Sequence, residues 1–598
     1  MALTTLPPDG RIDAPSQPPA AKPEKTRRFG PPSLGSGVMA VTIVVLGAYV
    51  LIPIIILLVI SFDTAPNIFI GKPQWGFSNW VDAWTGNDVL PALWHSFTIW
   101  FFVAVISLPV GIGVALLLAR TNMPFSRGIE FFFWIAYIFP PLSSAFGWIY
   151  LMDPDYGFLN KLAELIPGVS HGPFNVFSVP GMVFVRLMSD GIAYFVILLT
   201  PAFRNMDGSM EEASRVSGYS GLKTMFKVTT PMLIAPIVLV SSLQLIKIFQ
   251  GFEVEYMLGS RFHYFVYSTL IYNQVRVDES PNYSEAVVLA SITVVILAII
   301  IPLQRWVSSR RSVTTVTSSY RSGLLDIGRW RFVALGFVSL LVLLVTVVPT
   351  FIVVLGSFMT RVGFFNLPKV WTTRHWQYVF NSPDFQSSLK TTLILSLVAA
   401  FVSPLLFSLF AYLIVRTRLR GRTLLDTIIW SSAAMPGILL GLGLMLMFLL
   451  IPGLKNLFGT IWPLIIVMMV HGKNTGTNVI KGVMLQLGAS LEESARVSGA
   501  GWFRTYFRIV LPVMLPTMVL VGMLSFVGAA HTTAPVILLA SNDTMTLSIL
   551  SLQIGSGDAG QVEAGGIISL IIMAMSLALA LPARILANRV SLRQNPHI

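Results

Sequence analysis

Apolar stretches long enough to cross a bilayer recur along this chain in two sets of six. The first set lies near 38–60, 95–118, 131–151, 180–202, 233–250 and 285–303; the second near 333–356, 389–415, 426–450, 459–484, 513–533 and 564–585. In hydrocarbon no water can satisfy a backbone amide or carbonyl, so each such stretch must bond to itself, as a helix does. About 20 helical residues cover the roughly 30 Å of a bilayer core. The chain is therefore confined to an all-α polytopic membrane protein with about 12 transmembrane helices. Its charged fraction of 11% agrees, since a soluble domain carries about 25%. With no cysteine, disulfides and thiolate metal sites are excluded.

The second set repeats the first. Pro53 and Ser61-Phe62 return as Pro349 and Ser357-Phe358, Arg120-Thr121 as Arg416-Thr417, and Pro140 as Pro436, each 296 residues on. Further along the shift falls to 281, which places an insertion of the first half in the outer loop around 152–178. Each half holds an even number of spans, so the halves are parallel six-helix repeats related by an axis along the membrane normal. The expected organisation is a disordered cytoplasmic tail (1–36), a first transmembrane domain (37–303), a basic cytoplasmic linker (304–332) and a second transmembrane domain (333–590).

A net charge of +13 could suggest a nucleic-acid partner. The charge is distributed otherwise. With the N-terminus inside, most of the 40 Lys and Arg fall in cytoplasmic segments, as the positive-inside rule requires. Both termini are then cytoplasmic, and the bilayer accounts for the basicity without nucleic acid.

Two polar loops on that cytoplasmic side match closely. One runs Glu211-Glu212-Ala213-Ser214-Arg215-Val216-Ser217-Gly218, then nine residues, then Val228-Thr229-Thr230-Pro231. The other runs Glu492-Glu493-Ser494-Ala495-Arg496-Val497-Ser498-Gly499, then nine residues, then Ile509-Val510-Leu511-Pro512. Ser209 with Glu212, and Ser490 with Glu493, have the spacing of a capping box. Gly218 and Gly499 fit a left-handed helix end. Pro231 and Pro512 suit a helix start, where a missing amide costs little. Phe226 and Phe507 are expected as apolar anchors of a second short piece. Each loop thus reads as helix–turn–helix, and its repetition implies the same contact made twice.

These loops resemble the EAA loop of importer-type ABC transporter permeases, through Glu212, Ala213, Gly218 and Pro231 in one half and Glu493, Ala495, Gly499, Ile509, Leu511 and Pro512 in the other. The departures are Ser214, Ser494 and the Thr229-Thr230 pair. The resemblance implies the type I ABC importer permease fold, in the cytoplasmic (inner) membrane of a bacterium. It implies that each loop, Glu211 and Glu492 included, docks one of two copies of a separate ATPase subunit. It also implies a periplasmic solute-binding protein that delivers substrate. Fused permeases of this kind are typical of ferric-iron, thiamine and some phosphonate importers.

Charges within a bilayer are costly and point to function. Arg186 and Asp190 lie four apart on the fourth span; His471, Lys473 and Asn474 lie mid-way along its repeat partner, the tenth. Gln244 and Lys247 share a face of the fifth. These seven are the expected substrate path. The plainer alternative for Arg186 and Asp190 is an ion pair that ties the helix. Lys247 and Lys473 have no acid one turn away and are expected to be unpaired. They outnumber the acids there, which favours an anionic cargo or one that travels with an anion.

Gly472-Lys473 is no phosphate loop, since Val467 stands where a Gly is needed and Asn474 where Ser or Thr is. No catalytic or metal constellation is present in the sequence. ATP and Mg would be held by the partner ATPase, with no cofactor in this chain. The expected role is an importer permease, for ferric iron first, with a 2-aminoethylphosphonate-like phosphonate or thiamine as alternatives. A proton-coupled secondary transporter using Asp190 or His471 and a membrane-embedded enzyme are the competing classes.

Overall fold

The computed structural model describes residues 34–594 apart from 170, 205–208, 278–280, 311–323, 418, 434, 488–489 and 557–560. Residues 1–33 of the N-terminal tail and 311–323 of the basic linker thus lie outside the described residues. Helices account for nearly all regular structure, and only isolated β-bridges such as Asp63 with Trp75 accompany them.

Among the described residues six helices are long and apolar enough to cross a bilayer unbroken: Gly35–Ile60, Val89–Arg120, Val179–Arg204, Trp330–Ser357, Pro383–Val415 and Val562–Pro582. Four further crossings are bent pairs, which brings the number to ten if each pair is one span. The expectation of an unbroken third and ninth span is corrected. Ser126–Ile138 meets Pro141–Met152 at 98°, and Arg422–Ser432 meets Gly437–Leu450 at 108°. Pro140 and Pro436 cause the breaks, because proline lacks an amide hydrogen and clashes with the preceding turn. Both adopt extended backbone, with ψ of 132° and 143°. The tenth stretch is also divided, into Ile461–Val470 and Lys473–Gln486, with Gly472 left-handed at φ 72°.

The repeat is visible in atomic detail. In the first half a short amphipathic helix, Ser78–Thr85, docks by a hydrogen bond from Trp80 Nε1 to Ser61 Oγ at 3.3 Å. In the second, Arg374–Asn381 docks through Trp376 Nε1 to Ser357 Oγ at 3.2 Å. Phe62 stacks on Trp80 and Phe358 on Trp376.

The halves are interlocked by their first helices. Leu34–Ile60 packs on the broken ninth crossing of the second half, and the Trp330–Ser357 helix packs on the broken third crossing of the first. Each contact closes through a glycine. A Cβ on Gly147 would lie 2.5 Å from Pro349, and one on Gly443 would lie 2.8 Å from Pro53. Backbones can meet this closely only where no side chain intervenes. Gly147→Ala and Gly443→Ala should each destabilise the fold by about 1–3 kcal/mol through overpacking. A thermal shift of the purified protein checks this, and an unchanged midpoint in both would contradict the interlock. The seam is also tied by Tyr150 Oη donating to the Val562 carbonyl at 2.9 Å and Arg276 donating to the carbonyls of Leu538 and Ala540.

Between the fifth and sixth crossings, the short helices Glu253–Gly259 and Tyr267–Tyr272 are largely buried, as is their counterpart Leu547–Ser556. The insertion of the first half folds as a small cap. Asn160 Nδ2 donates to the carbonyls of Asp153 and Phe174, and Phe158 packs on Phe365 of the other half.

Candidate functional site: two coupling loops and a cavity between the halves

The two loops have the same element order. Ser209–Val216 is followed by Gly218, Gly221–Thr224 and Met225–Thr229; Ser490–Val497 is followed by Gly499, Trp502–Thr505 and Tyr506–Val510. Gly218 and Gly499 are left-handed, with φ of 83° and 77°. The amide of Tyr219 donates to the Ser214 carbonyl and that of Ala500 to the Ala495 carbonyl, the long bond of a Schellman helix end. Pro231 and Pro512 each stand in the first turn of a one-turn helix, Thr230–Met232 and Leu511–Val513. Ser209 and Ser490, expected to cap these helices, are their first residues, and 205–208 and 488–489 before them lie outside the described residues.

The paired acids of each loop divide their work. Glu211 is buried and takes a salt bridge from Arg120, itself buried at the loop-side end of the second span. Thr229 Oγ1 also donates to Glu211, at 2.6 Å. In the second half Arg416 Nε lies 3.2 Å from Glu492, and its Nη2 donates to the carbonyls of Met484 and Leu487. Glu212 and Glu493 are instead exposed. The sequence showed Arg120 and Arg416 as a repeat; their partnership with the loop acids went unread.

Each loop presents an apolar tip. Val216 is 91% exposed and Val497 is 90% exposed, each the last residue of its helix. Ala213 is exposed and Ala495 buried. Phe507, expected as an apolar anchor, is 53% exposed and stacks on Phe503.

Within the membrane the structure brings the expected path residues together. Adjoining cavities of about 330 and 370 Å³ lie between the halves and share Tyr137, Lys247, Gln250 and His471 among their walls. Arg186 and Asp190 meet across a π turn, Leu187–Gly191, at 3.8 Å. Lys247 is not unpaired as expected: its Nζ lies 2.8 Å from Asp190 on a neighbouring helix. Arg186 Nε lies 3.5 Å from Glu255, an acid the sequence reading left out of the path. Gly251 makes room for it, since a Cβ there would lie 2.2 Å from Glu255 Oε1. The first half thus supplies a nearly balanced network, so a local excess of cations does not hold there.

The second half answers with neutral groups and one cation. Asp190 and Lys247 correspond by the 281-residue shift to His471 and Gly528. His471 Nε2 contacts Thr532 Oγ1 at 3.1 Å. Lys473 forms no ion pair among the described residues, and its Nζ lies 5.5 Å from the Tyr49 ring centre. Asn474 lines the same cavity. Gln244 is buried beside the path and contacts the Gly191 carbonyl at 3.4 Å. Among the described residues no three His, Asp or Glu side chains converge as a metal site.

Comparison with known proteins agrees with this anatomy. Relatives include Protein LplC of Bacillus subtilis, 29% identical over 31% of this chain and 61% of its own length. The ferric transport system permease protein FbpB of Actinobacillus pleuropneumoniae is 24% identical over 79% of this chain and 68% of its own. The probable ABC transporter permease protein y4fN of Sinorhizobium fredii is 24% identical over 85% and 89%. A bacterial ABC transporter that imports the acidic polysaccharide alginate aligns in structure over 46% of this chain and 96% of its own, at 17% identity and a TM-score of 0.40. The family described as binding-protein-dependent transport system inner membrane component matches residues 107–313 and again 405–594, each match containing one of the two loops. The chain belongs to this family and carries its domain twice in one polypeptide.

Proposed function

We propose that this permease forms the path of an ATP-driven importer for ferric iron. It would receive its cargo from a periplasmic solute-binding protein and be driven by two copies of an ATPase subunit. The observation that carries the coupling half of the proposal is the matched pair of loops. Each has an acid bolted to the end of the second span and a bare valine at its tip. A force applied to either tip would reach the membrane helices through a buried ion pair rather than a flexible connection. Closure of the ATPase dimer would rock the interlocked halves about the central cavities, giving alternating access. With Arg120 and Arg416 on the ATPase side, both termini are cytoplasmic.

The substrate reading is supported by relatives that span both halves. FbpB proteins named for ferric transport, from Actinobacillus pleuropneumoniae and Haemophilus influenzae, match 79% and 78% of the chain. Lys473 fits this cargo if ferric ion travels with an anionic ligand, because it is a cavity cation with no ion pair among the described residues. A phosphonate would use the same lysine, and thiamine would not. The test is uptake by proteoliposomes holding the permease, its ATPase and its binding protein. Radiolabelled ferric ion should accumulate only with ATP and only with a complexing anion present. Uptake of a phosphonate or of thiamine in place of iron would overturn the substrate, and uptake without ATP would overturn the class.

A further inference from the structure

The repeat exposes an asymmetry beside the first coupling loop. A cavity of about 530 Å³ lies there, walled by Leu117, Met225, Ile327, Trp330, Val333 and Phe337, with Gly221 at its edge. That volume is in the range of pockets that hold small molecules, about 300–1,000 Å³. In the second half, Gly221 corresponds to Trp502. The Trp502 indole packs on Tyr412 and Tyr506 and reaches the first helix at Gly35, filling the equivalent place. One loop is therefore wedged by its own tryptophan, and the other is left with a void.

The surroundings specify what fits. Trp330 and Phe337 lie on the first helix of the second half and are 69% and 48% exposed, as for side chains facing lipid. Arg329 and Arg331 flank Trp330 at the membrane surface and are exposed. Asp326 also lines the cavity, beside these arginines. Its carboxylate accepts from the Gly328 amide at 2.9 Å and Asn122 Nδ2 at 2.6 Å, and these bonds, with the nearby Arg331, hold its pKa below the ordinary value, so it stays ionised and offsets one of the two arginine charges, leaving one in excess. Apolar walls open to the bilayer beneath two arginines match an anionic phospholipid of the leaflet on the coupling-loop side.

We propose that this cavity binds one acyl chain of an anionic phospholipid, its headgroup held by Arg329 and Arg331, and that this lipid wedges the first coupling loop as Trp502 wedges the second. The leaflet rests on the cytoplasmic placement of the loops; the lipid itself is independent of the cargo. The test uses the full chain in nanodiscs with a photoactivatable phosphatidylglycerol, its adducts mapped by mass spectrometry. Adducts should concentrate on the peptides holding Met225 and Ile327–Phe337. Gly221→Trp should abolish them. Arg329→Gln/Arg331→Gln should keep the adducts and lower the preference over phosphatidylcholine about thirtyfold, the effect of two surface arginines. Adducts spread evenly over the outer helices of the wild type would overturn the site even if Gly221→Trp fails to fold. So would unchanged adducts in Gly221→Trp, an unchanged preference in the arginine variant, or cross-links showing residues 1–33 or 311–323 in the cavity.

Discussion

Arg120→Ala should all but abolish transport while the chain still reaches the membrane. The substitution leaves Glu211 buried, with Thr229 as its remaining partner of that site. Removing one member of a buried ion pair costs about 3–5 kcal/mol, because the survivor is an uncompensated charge. Here that cost falls on the joint between loop and span, so the loop should detach before the fold is lost. Arg120→Met with Glu211→Gln removes both charges and should recover stability but not full coupling. Transport and ATPase stimulation measured together separate the two effects. Arg416→Ala should act in the same direction in the second loop. Glu492 is slightly less buried there, at 7% exposure. Normal transport by Arg120→Ala would show that the pair is ornamental and the loop is held by other means.

The second large effect is expected at Asp190. It serves Lys247 at 2.8 Å and Arg186 at 3.8 Å, so Asp190→Ala strands Lys247 within the membrane and leaves Arg186 with Glu255 alone. The protein level in the membrane should fall, by the same order of about 3–5 kcal/mol. Adding Lys247→Met should restore much of it, since Arg186 keeps Glu255. Lys473→Met should behave differently. No ion pair is lost among the described residues, so the level should hold while uptake of an anion-bearing cargo drops. Equal uptake by Lys473→Met and wild type would make Lys473 part of the wall. Failure of Lys247→Met to rescue Asp190→Ala would mean that Asp190 has a role beyond charge balance.

The contrast between these sites shows what the sequence could disclose. The duplication was fully legible, because a repeated Pro, Arg or Gly marks the same backbone event in each half. Gly218 and Gly499 were read as left-handed from spacing alone, and both are. The breaks at Pro140 and Pro436 lay in plain view as repeated prolines, yet hydropathy averaged over a window passes across them, so each bent pair read as one span. The Lys247–Asp190 pair was beyond reach. Its members lie on different helices, and only packing makes them neighbours. The buried helices between the fifth and sixth crossings were missed for a related reason: each is too short to register as a span. His471 and Lys473 were found because charge is rare at such depth.

The coupling loops can be tested by counting ATPase subunits on the purified complex by native mass spectrometry. Gly218→Asp and Gly499→Asp place a side chain at positive φ with open space around it, so they strain the loop without a clash, by about 1–2 kcal/mol each. The wild-type chain should carry two ATPase subunits, each single variant should retain mainly one, and the double variant should retain none while staying folded in the membrane. Two ATPase subunits on the folded double variant would contradict the assignment of these loops as the docking sites.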